Sequence, residues 1–339
     1  MEMMRQILQH YFPYLPEEAV GQLQEIGSGV NNMTRCLLID GQLHIMRIYQ
    51  NHQNPTIVAY EHNVLKQLAQ MEMSFQTPKP IPTQTGQTYL TLPDGRIVAL
   101  FTYIEGTRCR LDNPVQLHSI GAAMGELLTA MATIQAIPHP VYASYAHLYE
   151  VHPLVTRDTL FQLPHQPEWA HLEDALQTLL DEVRAFETSS SQIIQHLPCQ
   201  LIHADFVETN LLVNHQQNQV SGILDFEFTA PDVRIMELAC FLTTLLKEAG
   251  SPWQQQLSPF LQGYGSTARL TPAEITAIPL CMKNRRIVSF IHYLGRQLAG
   301  LDTQETTETQ LTRFLRMNNW LQENKEQLLQ LVTESIEPC

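Results

Sequence analysis

Short strand-like apolar runs dominate the first third of the chain, and helical spacing dominates most of the rest. Cys36-Leu37-Leu38-Ile39 and His44-Ile45-Met46-Arg47-Ile48-Tyr49 read as two strands. Asp40-Gly41 between them is a strong two-residue hairpin signal. From Thr56 to Ala69, the apolar positions Val58, Val64, Leu65 and Leu68 suit one face of an amphipathic helix. A second hairpin is predicted from Gly86 to Tyr103, turning at Pro93-Asp94-Gly95. Leu117, Ile120, Met124, Leu127, Leu128 and Met131 give a helix over Pro114 to Ala136, and Trp169 to Phe186 gives another. A third hairpin joins Leu211-Leu212-Val213 to Val220–Leu224 through the polar run 214–219. Helices follow over Ile235 to Glu248, Trp253 to Tyr264, Pro272 to Leu298 and Thr306 to Thr333. The pattern predicts an α+β chain: a small antiparallel-sheet lobe over residues 1–103, then a larger, mainly helical lobe over 104–339.

Polar residues around the third hairpin carry the chemistry. Leu201-Ile202 leads into His203-Ala204-Asp205, then four residues, then Asn210; the next strand ends in Asp225-Phe226-Glu227. His-x-Asp, x4, Asn, then Asp-Phe is the order of a phosphoryl-transfer catalytic loop followed by a metal-binding strand end. Asp205 is the candidate base for an acceptor hydroxyl. Asn210 offers an amide oxygen and Asp225 a carboxylate, the hard donors that Mg²⁺ prefers. The hairpin would bring both to the same end of adjacent strands. Singly, an Asp-x4-Asn or an Asp-Phe is more often a cap or turn; their order between two apolar runs singles them out.

The N-terminal third supplies matching parts. Ile26 to Thr34 is a glycine-containing loop, with Gly27, Ser28, Gly29 and Asn32 as candidate phosphate contacts. It runs into a strand, whereas a dinucleotide-binding glycine loop opens a helix. Arg47 shares a strand face with Ile45 and Tyr49, and Glu61 on the following helix is its expected partner. The strand ending near Thr102-Tyr103-Ile104 would leave the small lobe as a hinge, with adenine near Thr102 and Ile104.

These residues together resemble the aminoglycoside phosphotransferase-like kinases, a superfamily that includes aminoglycoside, choline, methylthioribose and type II homoserine kinases. The resemblance runs from about residue 20 to about residue 300, and extends to Ala230-Pro231-Asp232-Val233-Arg234-Ile235-Met236-Glu237-Leu238-Ala239. It implies a two-lobed protein-kinase-like fold, ATP and Mg²⁺ as cofactors, and phosphorylation of a small-molecule alcohol. By the same resemblance Asp205 is the catalytic base, and Asn210 and Asp225 bind metal. Besides Glu227 after Asp225-Phe226, which resembles choline kinase-like members, two departures stand out. Ala204 sits where many members have Gly, and Arg47 replaces the Lys of some branches. They motivate one alternative, a nucleotide-binding regulatory pseudokinase. The presence of Asp205, Asn210 and Asp225 together argues against it, as does the lack of any chemical need for all three in such a relic.

Charge refines the acceptor. The net formal charge is −14. Residues 1–103 hold −2 of it and 104–339 hold −12. An acidic acceptor lobe repels nucleic acid and favours an amine-bearing acceptor, whether an aminoglycoside, an amino alcohol or a homoserine-like amino acid. Glu227 and Asp232 are the candidate acceptor contacts. No segment is apolar for long enough to span a bilayer, and the first residues lack a secretory pattern, so a cytoplasmic enzyme is expected. The six cysteines are scattered and no zinc-ligand spacing appears. Oligomeric state leaves no signature.

Overall fold

The computed structural model describes residues 2–14, 23–24, 32–49, 54–135, 142–246 and 252–336. In chain order the first elements are α1 (Glu2–Tyr11), β1 (Leu23–Gln24), β2 (Asn32–Ile39), β3 (Gln42–Tyr49), α2 (Pro55–Leu68), β4 (Leu90–Thr91), β5 (Ile97–Thr102), β6 (Thr107–Arg108) and α3 (Pro114–Met131). There follow α4 (Arg157–Gln162), α5 (Glu173–Ala185), α6 (Ser191–Gln195), β7 (Cys199–Ile202), β8 (Leu211–Asn214), β9 (Gln219–Ile223) and β10 (Ala230–Val233). The chain closes with α7 (Ile235–Leu245), α8 (Trp253–Thr267), α9 (Pro272–Leu298) and α10 (Gln304–Ser335). Two compact units result. The first comprises Met1–Arg108, Ile134–Val141 and Leu211–Glu227; the second comprises Cys109–Thr133, Tyr142–Asn210 and Phe228–Cys339.

The first unit is built on a five-stranded antiparallel sheet in the order β1-β2-β3-β5-β4. Asp40 and Gly41 both adopt positive φ, the requirement of the tight turn that joins β2 to β3 with Ile39 opposite Gln42. Alternation then sorts the two faces. Leu37, Ile39, Met46, Ile48, Val98 and Leu100 form a core with Met4, Ile7, Leu8 and Tyr11 of α1. α1 has no counterpart among the expected elements. α2 begins where Asn54 accepts the Thr56 N–H and Pro55 takes the first helical position. A second sheet, β6-β8-β9, completes the unit. Its hairpin is the predicted one, with Leu211 opposite Ile223.

The second unit is mainly helical around one two-stranded ladder. β7 and β10 pair antiparallel from Cys199↔Val233 to Ile202↔Ala230. α3 and α8 cross at unusually close range, because Gly121 and Gly263 leave no side chain between the backbones. α9 starts with a reciprocal capping box between Thr271 and Glu274 and spans the predicted range. Phe206, Phe241 and Phe260 stack in succession, with ring centroids 5.6 and 4.6 Å apart, beneath the segment that follows β7. None of the described helices is long and apolar enough to cross a membrane.

Candidate active site

Arg47 occupies the middle of β3, between Thr34 of β2 and Ala99 of β5. From there its Nη1 donates to Glu61 Oε1 of α2 at 3.0 Å and lies 3.2 Å from Asp225 Oδ1. Glu61 Oε2 accepts the Tyr49 hydroxyl at 2.9 Å. The guanidinium also lies 5.6 Å from the Phe101 ring and 5.8 Å from that of Tyr49. Burial works against its charge, but the fields of Asp225 and Glu61 more than offset this and raise its pKa. Burial is also what pushes Glu61 up to about 7, against the pull of Arg47. His62 beside it is driven down to about 3 by burial and the Arg47 charge, so it is a neutral imidazole bonded to Thr88 and Tyr49. The first unit thus joins a fixed cation to two carboxylates from distant parts of the chain.

Asp225 follows β9 with φ of +65°, a conformation that costs a non-glycine residue roughly 1 kcal/mol or more. Its Oδ1 is buried and accepts no hydrogen bond. An oxygen in that state, facing only a guanidinium, is one that a cation would satisfy. Glu227, two residues on, is buried and adds to the negative field felt by Arg47, Tyr49 and Glu61. Thr102 closes β5 and donates its N–H to Lys79. Ile104 is buried beside Gly222 of β9, where a Cβ would strike its Cγ2. The carbonyl of Glu105 accepts the Ser221 hydroxyl at 2.8 Å. The segment after β5 is therefore fastened to the β8–β9 hairpin. Gly27, Ser28 and Gly29 lie outside the described residues, and Asn32 is the first residue of β2.

In the second unit, β7 delivers His203, Ala204 and Asp205. Ala204 takes φ of +65°, which turns the chain sharply after the strand. The turn is held from below by Glu237 of α7, whose Oε2 accepts the N–H groups of His203 at 2.5 Å and Ala204 at 3.1 Å. Glu237 is fully buried; its burial outweighs these bonds and raises the carboxyl to about 7. From the front, Asn210 Nδ2 donates to Asp205 Oδ2 at 2.9 Å and to the Asp205 carbonyl at 3.0 Å. With its nitrogen committed to Asp205, the Asn210 amide offers its oxygen to a cation. From the side, the Tyr145 hydroxyl donates to the Ala204 carbonyl at 3.1 Å. Tyr145 is in turn fixed by its own N–H on Asp232 Oδ2, at 2.6 Å, and by Asn284 on its carbonyl, at 2.8 Å. The other oxygen of buried Asp232 accepts the Val233 N–H. Both oxygens of Asp232 are thus occupied by backbone.

The structure brings Arg47, Glu61, Asp225 and Glu227 together in one unit, and Asp205 and Asn210 together in the other. Glu237 and Tyr145 were not among the expected site residues. Glu237 had a signal: it is the one charge in the otherwise apolar-rich run Ile235–Leu242, and a carboxylate in such a run is seldom buried without a task. Tyr145 had none, since it is defined by contacts across more than fifty residues.

Comparison with known proteins agrees with this geometry. Residues 22–275 match the family model of the phosphotransferase enzyme family. Homoserine kinase of Methylorubrum populi is 25% identical over 276 residues, covering 79% of each chain. Homoserine kinase of Rhizobium meliloti is 26% identical over 290 residues, covering 82% of this chain and 81% of the relative. Among solved structures, a microcompartment-associated aminopropanol kinase superposes with a TM-score of 0.68 at 18% identity, covering 97% of this chain and 99% of that one. A choline/ethanolamine kinase family protein from Mesorhizobium loti gives 0.64 at 15% identity, covering 98% and 100%. An aminoglycoside phosphotransferase solved with GDP and kanamycin gives 0.64 at 14% identity, covering 94% and 99%. These structural likenesses establish the kinase-like α+β fold.

Proposed function

This chain belongs to the phosphotransferase enzyme family and is a small-molecule kinase, and from that premise we propose that it transfers the γ-phosphoryl group of ATP to the hydroxyl of a short amino-acid-like alcohol such as homoserine. The observation that carries the reading is the fixation of Asp205. Asn210 holds its carboxylate in front, while Glu237 and Tyr145 hold the loop behind and beside it. A carboxylate kept in one rotamer at the head of a strained turn is suited to orient a hydroxyl and take its proton.

In this reading the acceptor oxygen bonds to the γ-phosphorus as the bond to the β–γ bridging oxygen breaks. Asp205 receives the hydroxyl proton, and ADP leaves. Arg47 supplies a permanent positive charge to the phosphates, held at a fixed height by Glu61. The loop bearing Gly27, Ser28, Gly29 and Asn32 would cover them, and the backbone near Thr102 and Ile104 would take the adenine. Asn210 and Asp225 fit Mg²⁺, since each presents an oxygen: one left by an amide whose nitrogen is spent, the other buried beside Arg47 but accepting no hydrogen bond. The ion would neutralise phosphate charge. The homoserine acceptor rests on the curated relatives. No observation favours the regulatory alternative.

The test is acceptor-dependent ADP release from Mg·ATP over a panel of homoserine, choline, ethanolamine, aminopropanol and kanamycin, with Asp205→Ala as the blank. Turnover of one member, absent from the blank, is expected. Nucleotide binding without turnover of any member, or equal ADP release by the blank, would overturn the proposal.

A further inference from the structure

Several half-buried arginines of this protein stand on carboxylates. Arg47 has Glu61 and Asp225, Arg234 has Glu274, and Arg296 has Asp302. Arg285 of α9 forms no ion pair with any described carboxylate, and Asp205 is the acid whose field acts on its charge. Its guanidinium lies 5.5 Å from the centre of the Tyr145 ring. That ring's hydroxyl is the one bonded to Ala204, the residue before Asp205. The neighbouring Asn284 holds the Tyr145 carbonyl. One turn of α9 thus sets both the ring and the cation lying over it beside the catalytic loop. The side chain remains partly exposed, so its charge is enclosed on most sides yet open to a ligand.

Two further basic side chains of α9 feel this charge. Burial and the nearby Arg285 and Arg313 charges lower Arg286 to about 10. Burial, with Arg296, His152 and Arg285, lowers His292 to about 4. Arg286 spends Nη2 on the Thr243 carbonyl, at 2.5 Å. Within a unit that is strongly acidic overall, α9 thus gathers Arg285 and Arg286 on one stretch.

We infer that Arg285 is the subsite for a carboxylate on the acceptor, so that the substrate is a hydroxy-amino acid and not an amino alcohol. The inference rests on the kinase reading above and narrows its acceptor. A guanidinium fork can take both oxygens of a carboxylate, and the Tyr145 ring fixes the plane in which it does so. The hydroxyl at the other end of a short acceptor then reaches Asp205. An acceptor without the carboxylate leaves the enclosed cation unpaired, which is how a site built for a polar group rejects its lack.

The decisive probe is 3-aminopropan-1-ol, which is homoserine without its carboxylate. Two measurements on the full chain decide the matter: calorimetric binding of each compound, and Asp205-dependent ADP release. Homoserine is expected to exceed the amino alcohol in kcat/KM on the order of 10²-fold or more. Arg285→Met should remove that preference by raising KM for homoserine, with a smaller change in kcat and unchanged ATP binding. Arg285→Lys should restore part of it. Equal or better turnover of aminopropanol by the unaltered protein would overturn the inference while leaving the kinase reading intact. Homoserine binding that depends on Arg285, without turnover, would support the subsite and sink the kinase reading. Homoserine binding that is absent, or indifferent to Arg285→Met, would overturn the inference. The comparison on unaltered protein stands even if a variant fails to fold.

Discussion

Replacing Glu237 by Gln isolates the electrostatic cost of the group that clamps the catalytic loop. The carboxyl is fully buried, and its pKa stands at about 7 against an ordinary 4.5, mainly through burial. The folded protein therefore holds this proton more tightly than the unfolded chain does. The stability contributed by Glu237 is fully present below pH 4.5 and is lost as pH rises through about 7. A shift of about 2.5 units at about 1.4 kcal/mol each makes the loss about 3 kcal/mol. Glutamine imitates the protonated acid. Its carbonyl can take the place of Oε2 beneath His203 and Ala204, and its NH₂ falls where Oε1 is buried without a partner, as the acid proton does. Urea unfolding of both proteins from pH 4.5 to 8 should show a small difference at the acid end. By pH 8 the variant should be more stable by about 3 kcal/mol. Glu61 titrates in the same range, but it is present in both proteins and cancels in the difference. A difference that stays flat across this range would refute the reasoning, and would mean that the bonds to the loop, not burial, govern Glu237.

Asp205→Ala should lower turnover by about 10²-fold or more while leaving ATP affinity within experimental error, checked by ADP release and nucleotide titration. Arg47→Met strands the Glu61 and Asp225 carboxylates side by side. It should cost about 3 kcal/mol of stability at pH 8 and less at pH 6, where Glu61 takes up a proton, and should weaken ATP binding; thermal unfolding at both pH values and ATP titration test this. Ala204→Gly releases a left-handed residue from its Cβ penalty, so denaturant unfolding should report a gain of about 0.5–1 kcal/mol with activity retained. Gly263→Ala drives a methyl into the His118 carbonyl where α8 crosses α3, and should cost about 3 kcal/mol or prevent folding, read by circular dichroism and unfolding.

What the sequence made legible is what depends on local order. The β2–β3 turn was readable because Asp40-Gly41 supplies two positive-φ residues where a tight hairpin needs them. The α9 range followed from a capping threonine, a proline and an unbroken helical period. The Arg47–Glu61 pair was readable because a strand and the next helix are close in sequence as well as in space. Longer-range facts left weaker marks. The expected helix from Trp169 divides, because residues 167–172 form a tighter 3₁₀ segment before α5 begins at Glu173. The Asp225–Arg47 contact spans most of the chain, and no period or spacing encodes it. Asp232 looked like an acceptor contact because it is an acid near the motif. Its carboxylate is in fact shared between two backbone N–H groups, a use that only the fold of residues 142–150 creates.

Charge shows most clearly why a sum over sequence and a site can point in different directions. A net charge is an average over a surface, most of which never meets the substrate, and on that basis the second unit should prefer cations. An acceptor at Asp205 would meet the charges nearest to it, and Arg285 of α9 is a cation whose charge interacts with Asp205. Close charges in an enclosed place outweigh distant ones screened by water, since the interaction falls with distance and with the dielectric between them. On the inference above, the local arginine and not the overall charge would choose the acceptor. On that inference an α-amino acid would meet both demands: its ammonium suits an acidic approach, and its carboxylate suits Arg285.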